Sequence, residues 1–539
     1  MQNDKFGAPQ ELVFVPPSQQ PPGYPQPGYP QPGYPQPGYP QPPQQGYPAP
    51  SYGQPQMTPA HTYGGPPPPP PQPPRDPPTR VEGPREGCCS FNQRNKPQGN
   101  ALGTAGLIFA SGGMNIAWAI GFRGPIAYHT TKHNFIAWFI GAIIGAVLTC
   151  GLTNKVPKKI VLQFSSVLVI IGGLVIACTH QNGSGTIAAC YLDGIANGLV
   201  FAPFMALAAE LSVAYKRGIF ATSMEQVSFG VGILLQIIYT SSWSYNTYTA
   251  YNDFTADNMK GVLSTIFGFL ALIMGTFMTI ESPVLMLANN DEAGAVDALR
   301  RLQKPAVMTD ETYEQLAEHK RYLAENKSMT LGQSISQALP TFLRLAYLRA
   351  LNAMSLSSFV IFTLALSIFL SYGLSSSQGW YIGFAFCRWL GTLFTSFCSD
   401  SLGRKKPTLV GLLVAACLSF AVGGRYGFGN YMDGVTILLL FFAFFAGIAF
   451  TPSSAYVSEA YPLGVKQHFI SLTFIVEMFV FLIIQVCDFN LRQGYNYFYI
   501  MGGMYVGGFV IALVSLPETR LLTMRGAQEQ FSRLLNVRF

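Results

Sequence analysis

From about residue 100 onward the chain alternates between apolar runs and short polar breaks. Each run reaches ~20 residues, enough for a helix to cross ~30 Å of hydrocarbon. Twelve spans are predicted, at 101–122, 134–153, 158–178, 185–209, 217–240 and 259–280, then at 342–372, 379–398, 405–425, 431–458, 467–489 and 496–516. A polar stretch, 281–341, separates the two groups of six. Within it Ala295-Val-Asp-Ala-Leu-Arg-Arg-Leu302 and the charged run Glu311 to Lys327 place apolar residues at helical spacing. Short amphipathic helices lying along the membrane face are expected there.

Residues 1–98 differ in kind. Pro-Gly-Tyr-Pro-Gln repeats put Tyr24, Tyr29, Tyr34 and Tyr39 in register, and Pro66 to Pro71 follow unbroken. Such a segment cannot bury a core and is expected to be disordered. Pro70-Pro-Gln-Pro73-Pro-Arg75 fits the form read by Src-homology-3 domains, and Pro21-Pro-Gly-Tyr24 the form read by WW domains. Adaptor binding and a bland solvated tail both remain open. The polar first 30 residues carry no cleavable signal, so the first span is expected to start insertion. The expected division is thus a tail (1–98), a bundle (99–280), a linker (281–341), a second bundle (342–516) and a second tail (517–539).

The net charge of +7 is a matter of topology. Lys155, Lys158, Lys159, Lys216, Arg217, Arg404, Lys405, Lys406, Lys466, Arg520 and Arg525 all fall on one face. Bases in short loops resist translocation, so that face and both termini are expected in the cytoplasm. The nine cysteines show no metal-ligand spacing, and most lie inside apolar spans. Cys88-Cys89, before the first span, fits palmitoylation or two unmodified thiols. No nucleotide loop, zinc cluster or nucleophile elbow occurs, so no cofactor, no ATP-driven step and no enzyme is expected. Asn182-Gly-Ser184 is a glycosylation sequon in a very short loop, and Asp193 is a candidate capping or interhelix partner. Gly502-Gly503 with Gly507-Gly508 suits close helix packing.

The hydrophobic part says the same thing twice. Glu210-Leu-Ser-Val-Ala-Tyr-Lys-Arg217 recurs as Glu459-Ala-Tyr-Pro-Leu-Gly-Val-Lys466, with an acid closing one span and a base opening the next. Gly151-Leu-Thr-Asn154-Lys-Val-Pro-Lys158-Lys159 is echoed by Ser399-Asp400-Ser-Leu-Gly403-Arg404-Lys405-Lys406. Two halves built on one plan are the layout of a transporter that rocks about a central site. The pairs Asp400 with Arg404, Glu210 with Arg217 and Glu459 with Lys466 are candidate gating latches that hold helices together in one state. The alternative is that they are only helix-end anchors.

Together these motifs resemble the sugar porter family of the major facilitator superfamily, over about residues 100–520. The Asp400-Ser-Leu-Gly-Arg-Lys-Lys run is similar to the family's loop between helices 8 and 9. Glu281-Ser-Pro283 is similar to its signature after helix 6, with Val284 in place of the final Arg. Glu210 with Arg217-Gly218, Tyr456-Val-Ser-Glu459 with Pro462, and Pro517-Glu-Thr-Arg520 match three more in the family's order. The resemblance implies an all-α polytopic membrane protein, two pseudo-symmetric six-helix bundles that carry a hexose or sugar-like solute by alternating access, with cell-surface residence. The first half departs from the pattern: Asn154 stands for an Asp, Pro157 for a Gly and Cys190 for an Arg. The amino-terminal latch is expected to be weak.

Where hexose-binding members carry a Gln-Gln pair, an Asn and a Trp, this chain offers Ala353-Met354, Phe359 and Ser454. Most of the sugar-recognising set is missing. In its place stands charge, which is expensive in a bilayer and usually functional. Glu225 lies ~12 Å into its helix from Arg217, Glu477 ~16 Å from Lys466 and Arg388 ~18 Å from Asp400. Glu225 or its neighbour Gln226 falls near a sugar-contacting Gln of the family. Three readings stand for this cluster: Arg388 grips an anionic solute, a buried carboxylate couples transport to protons, or Arg388 and the glutamates pair only with one another. A receptor or scaffold that keeps the fold without transporting is a further possibility.

Overall fold

The computed structural model describes residues 81, 93–124, 126, 129–152, 154–179, 182–243, 254–373, 377–427, 432–487 and 494–536. The proline-rich tail, its adaptor motifs and Cys88-Cys89 lie outside the described residues. What is described is all-helical, and eleven helices are long and apolar enough to cross a membrane.

The first six spans are α1 (Lys96–Ile120), α2 (Lys132–Leu152), α3 (Lys158–Cys178), α4 (Gly183–Leu211), α5 (Arg217–Ser241) and α6 (Ala256–Met278). Three shorter helices follow: α7 (Pro283–Ala288), α8 (Glu292–Arg301) and α9 (Asp310–Ser328). The seventh span breaks into α10 (Leu331–Ser355) and α11 (Ser358–Tyr372), since Ser357 caps a fresh start by accepting the Val360 N–H. Then come α12 (Ser377–Cys398) and α13 (Lys405–Gly427). The tenth span divides at Thr451 into α14 (Val435–Phe450) and α15 (Pro452–Glu459), because Pro452 lacks the N–H that would continue the ladder. The last are α16 (Lys466–Val486), α17 (Gly494–Ser515) and the short α18 (Met524–Ser532). At 22 residues α12 is long enough to span although Arg388, Gln378 and its serines and threonines lower its apolarity, and its packing between α5 and α14 makes it the twelfth.

Most boundaries fall within a few residues of those predicted, and the two large differences have local causes. Helix α1 begins at Lys96, inside the stretch read as tail: Pro97 starts its first turn, and buried Gln98 bonds Asn95 and the Val213 N–H. Helix α10 begins at Leu331 rather than 342, launched by a capping box between Thr330 and Gln333.

In the first half α1 packs on α5, α2 on α4 and α3 on α6; in the second, α10 packs on α16, α12 on α14 and α13 on α17. The halves meet where α16 crosses α2 and α4, and where α12 crosses α5. Glycines permit the closest approaches: a Cβ at Gly232 would run into the Ala110 carbonyl, and one at Gly391 into that of Phe444. Outward-facing Ile160, Phe164 and Phe277 are exposed, as a hydrocarbon belt requires. The linker helices bury the face that their spacing predicts: Ala295, Ala298 and Leu299 on α8, Leu316 and Leu323 on α9.

Candidate functional site: a charged layer and a charged face

Midway along the helices a continuous chain of polar contacts crosses the interface between the halves. It starts on α5, where five residues, Ser223–Val227, adopt a π turn. This wider turn, of the kind often found at functional sites, carries Glu225 and Gln226. Gln226 Nε2 donates to Glu225 Oε1 at 2.9 Å. Arg349 on α10 grips Glu225 with both terminal nitrogens, Nη2 reaching Oε2 at 2.8 Å, and its Nη1 also meets Glu477 Oε2 on α16 at 3.2 Å. Asn352, one turn beyond Arg349, donates to Glu477 Oε1 at 2.7 Å and accepts from Arg388 Nη2 at 2.7 Å. Arg388 Nη1 ends the chain on Ser355 Oγ at 2.8 Å. All the charged members are buried, Arg349 and Glu225 to 1 % exposure. Phe201, stacked on Phe474 with centroids 4.1 Å apart, covers the Arg349 guanidinium at 5.8 Å.

Glu225, Gln226, Arg388 and Glu477 are thus brought together as the sequence suggests, with one correction. Arg388 does not pair with the glutamates; its partners are the neutral oxygens of Asn352 and Ser355. The glutamates are held by Arg349, a base within the seventh predicted span that was not among the candidates. Ser454 on α15 is buried with its hydroxyl unbonded, and no hydrogen bond ties it to the layer. Phe359, at the position of a family Asn, stacks on Tyr497 at 4.7 Å.

A second set of buried charges lies within the first half. Asp193 accepts from Ser111, from Trp138 Nε1 at 2.7 Å and from Asn197 at 3.0 Å, so it is an interhelix partner joining α1, α2 and α4. Lys260 on α6 donates to Asn115 at 3.0 Å and lies 4.4 Å above the Trp118 ring. Cys190, standing for an Arg, meets Asn115 through sulfur at 3.7 Å. Among the described residues no group of three or more His, Cys, Asp or Glu is placed to hold a metal. Asn182 caps α4 by accepting the Ser184 and Gly185 N–H groups.

The face that carries the bases is closed by ion pairs, and here two predicted pairings are corrected. Glu210 does not meet Arg217: it takes Lys158 at 3.0 Å, Lys466 at 3.4 Å and the Ser282 hydroxyl. Glu459 does not meet Lys466: it takes Arg404 and, at 3.6 Å, Arg217. The partners are exchanged between the halves. The seven-residue acid-to-base stretch turns a corner, which carries each base away from its own acid and towards the acid of the other half. The Asp400–Arg404 pair does form, at 3.8 Å. Asp400 also accepts the Gly218 and Ile219 N–H groups, so its charge sits at the start of α5 in the opposite half. Burial pushes its carboxyl up, against the pull of Arg404 and of those two N–H groups. At the equivalent place Asn154 takes one neutral bond, from Gln467 at 3.1 Å, the weaker contact expected.

The chain after α17 clasps this face. Glu518 accepts the Arg404 and Lys405 N–H groups that open α13, and Leu522 offers its carbonyl to Arg217. Helix α18 sets Gln528 against Tyr322 on α9 and the Tyr461 carbonyl. His319 on α9 is buried beside Glu210, Arg217 and Lys466; burial pushes its pKa down to about 4.

Residues 127–531 match the model of the family described as "Sugar (and other) transporter". The chain belongs to this family, within the major facilitator superfamily. A D-xylose transporter of Levilactobacillus brevis is 21% identical over 430 residues, 76% of this chain and 89% of that one. Among solved structures, a major facilitator proton:xylose symporter bound to 6-bromo-6-deoxy-D-glucose superposes with a TM-score of 0.68 at 17% identity, over 81% of this chain and 99% of that one. The inward-open form of the xylose transporter from E. coli gives 0.55 at 18% identity, over 80% and 98%. At these identities the structures speak for the fold alone. It is a multi-pass membrane fold of two six-helix bundles.

Proposed function

We propose that this chain moves a sugar-sized, polyhydroxylated solute across a membrane by alternating access, and is not an enzyme. The observation that carries the reading is the polar layer from Gln226 to Arg388, which draws residues from both halves and sits midway between the two faces. A solute bound there meets side chains on each side of the rocking interface, the arrangement that lets one site be opened to either face in turn. The relatives named above for D-xylose favour a sugar within that class.

In this reading Glu225, Gln226, Arg388 and Glu477 face the solute, and the unbonded hydroxyl of Ser454 is a further hydrogen-bonding group for it. Residues 99–280 and 342–516 are the two moving bodies, with 281–341 and 517–539 bracing them. Glu210, Arg217, Asp400, Arg404, Glu459 and Lys466 hold the charged face shut and release when it opens. That face, with both termini, is cytoplasmic by its excess of bases, and the plasma membrane is the residence. Residues 1–98 offer docking motifs to Src-homology-3 or WW adaptors.

The test is uptake by the purified full chain in proteoliposomes. Saturable, stereoselective entry of a radiolabelled pentose or hexose derivative, lost in Glu225→Gln with the protein still inserted, is the expected result. A panel of neutral and acidic monosaccharides that all fail to enter, or entry indifferent to Glu225, would overturn it.

A further inference from the structure

The charged layer is balanced in sum but not in place. Two guanidiniums stand against two carboxylates, yet both carboxylates lie on Arg349. Arg388 at the other end meets only the Asn352 and Ser355 oxygens, and among the described residues no carboxylate lies within ion-pair distance of it. A guanidinium presents five donors in a planar fork, and two are used here. Neutral oxygens do not offset the charge, so this end of the layer is positive in a medium of low dielectric.

A recess opens on the face opposite the ion-paired one, above this end of the layer along α12. This recess of about 230 Å³ lies between the end of α1, the end of α5, α11 and the start of α12, lined among others by Phe122, Arg123, Thr240, Ile361, Gln378 and Tyr381. It draws on both halves. Arg123 adds a second guanidinium at this mouth, seated over the Phe135 ring at 3.5 Å. On α12 the lining residues Gln378 and Tyr381 share one helical face with Arg388, which follows Tyr381 by two turns, ~10 Å deeper. One stripe of one helix therefore runs from the recess to the positive end of the layer.

We propose that the transported solute is an acidic monosaccharide, of the uronate or aldonate class, and that Arg388 selects it by holding its carboxylate in a forked, charge-assisted pair. The sugar hydroxyls then fall to the amide and carboxylate end of the layer, Gln226, Asn352 and Glu477. This rests on the proposed transport of a sugar-sized solute and narrows it. The missing Gln-Gln pair at Ala353-Met354 follows: a site that recognises its solute by charge at one end needs fewer neutral donors.

The experiment compares radiolabelled D-glucuronate and D-xylose uptake by the full chain in proteoliposomes, with unlabelled D-glucuronate, its uncharged amide and D-glucose as competitors. Glucuronate is expected to enter saturably and to be displaced by glucuronate well before the amide. Arg388→Gln is expected to lower kcat/KM for glucuronate by at least about 10-fold, the scale of a hydrogen bond to a charged group, with Arg388→Lys between it and the wild type. If Arg388→Gln fails to insert, the competition series on the wild type still decides. Entry of xylose with glucuronate and its amide equally inert overturns the acidic class and leaves the transport reading standing. Entry of neither sugar overturns both.

Discussion

The exchange of partners across the charged face makes a prediction that separates two wirings of the same four residues. Glu459 is fully buried and holds Arg404 from its own half and Arg217 from the other. At the 3.6 Å separation of Arg217 and Glu459, an effective dielectric of 20 gives a gross attraction of about 4–5 kcal/mol. Removing the acid leaves the buried Arg217 guanidinium without its carboxylate and Arg404 with only Asp400, at 3.8 Å. Loss of one member of a buried pair costs about 3–5 kcal/mol, and 3 kcal/mol already moves an equilibrium by about two orders of magnitude. Glu459→Gln should therefore shift the population strongly towards a state with this face open.

The measurement is the distance distribution between spin labels at Lys155 and Leu402, exposed loop positions in the two halves, in a chain cleared of its other cysteines. In a double-mutant cycle, Glu459→Gln with Arg217→Gln should show a coupling of about 1–3 kcal/mol, as expected within one network. Glu459→Gln with Lys466→Gln should be additive within about 0.5 kcal/mol. The reverse pattern, coupling of Glu459 to Lys466 with none to Arg217, would refute the exchanged wiring and restore pairing within each half.

Three further outcomes are expected. Arg349→Met leaves Glu225 and Glu477 buried without their cation, so it should melt well below the wild type in detergent, and adding Glu225→Leu should recover part of the loss; a melting curve unchanged by Arg349→Met would refute a structural role for the triad. His319 is neutral when folded, with its pKa down to about 4 beside Glu210, Arg217 and Lys466. The unfolded chain binds its proton first as pH falls through the ordinary value near 6.5, so its contribution is full above that, is lost on the way down and levels off below 4; thermal stability should fall by about 2 kcal/mol between pH 7.5 and 5, with a flatter profile in His319→Gln. A Cβ at Gly391 runs into the Phe444 carbonyl; Gly391→Ala should cost about 1–3 kcal/mol of stability, seen as a lower melting temperature, and an unchanged one would show that α12 and α14 are less tightly joined than described.

Much of the fold was legible because hydrocarbon imposes a simple code: length, apolarity and bases at one end. Span edges such as Lys158, Arg217 and Lys405 coincide with the helix starts because those bases mark where the lipid ends. The code fails where a helix leaves the bilayer without stopping. Helix α10 begins eleven residues before its apolar run, on the amphipathic stretch Leu331 to Thr341, and Arg349, which was not among the candidates, lies deep inside it. A signal was available: after trimming to the apolar run, Arg349 is still seven residues inside it, nearly as deep as Glu225, which lies eight from Arg217. The π turn under Glu225 left no mark in residue type, since Ser-Met-Glu-Gln-Val suits an ordinary helix equally well. Nor does spacing reveal which acid meets which base. The duplicated motif fixed the participants, and only the corner between spans decided that they reach across rather than along the chain.

The clasp formed by residues after α17 bears on how the molecule is made. All twelve spans precede Glu518 in the chain, yet the N–H groups that open α13 and the guanidinium of Arg217 take part of their bonding from Glu518 and Leu522. During synthesis every span is therefore in the bilayer before the charged face can acquire its full set of partners. A nascent chain passes through a period in which its halves are inserted and its closing contacts are incomplete. Arrest or cleavage before residue 518 would leave all twelve spans in place with the charged face unfinished.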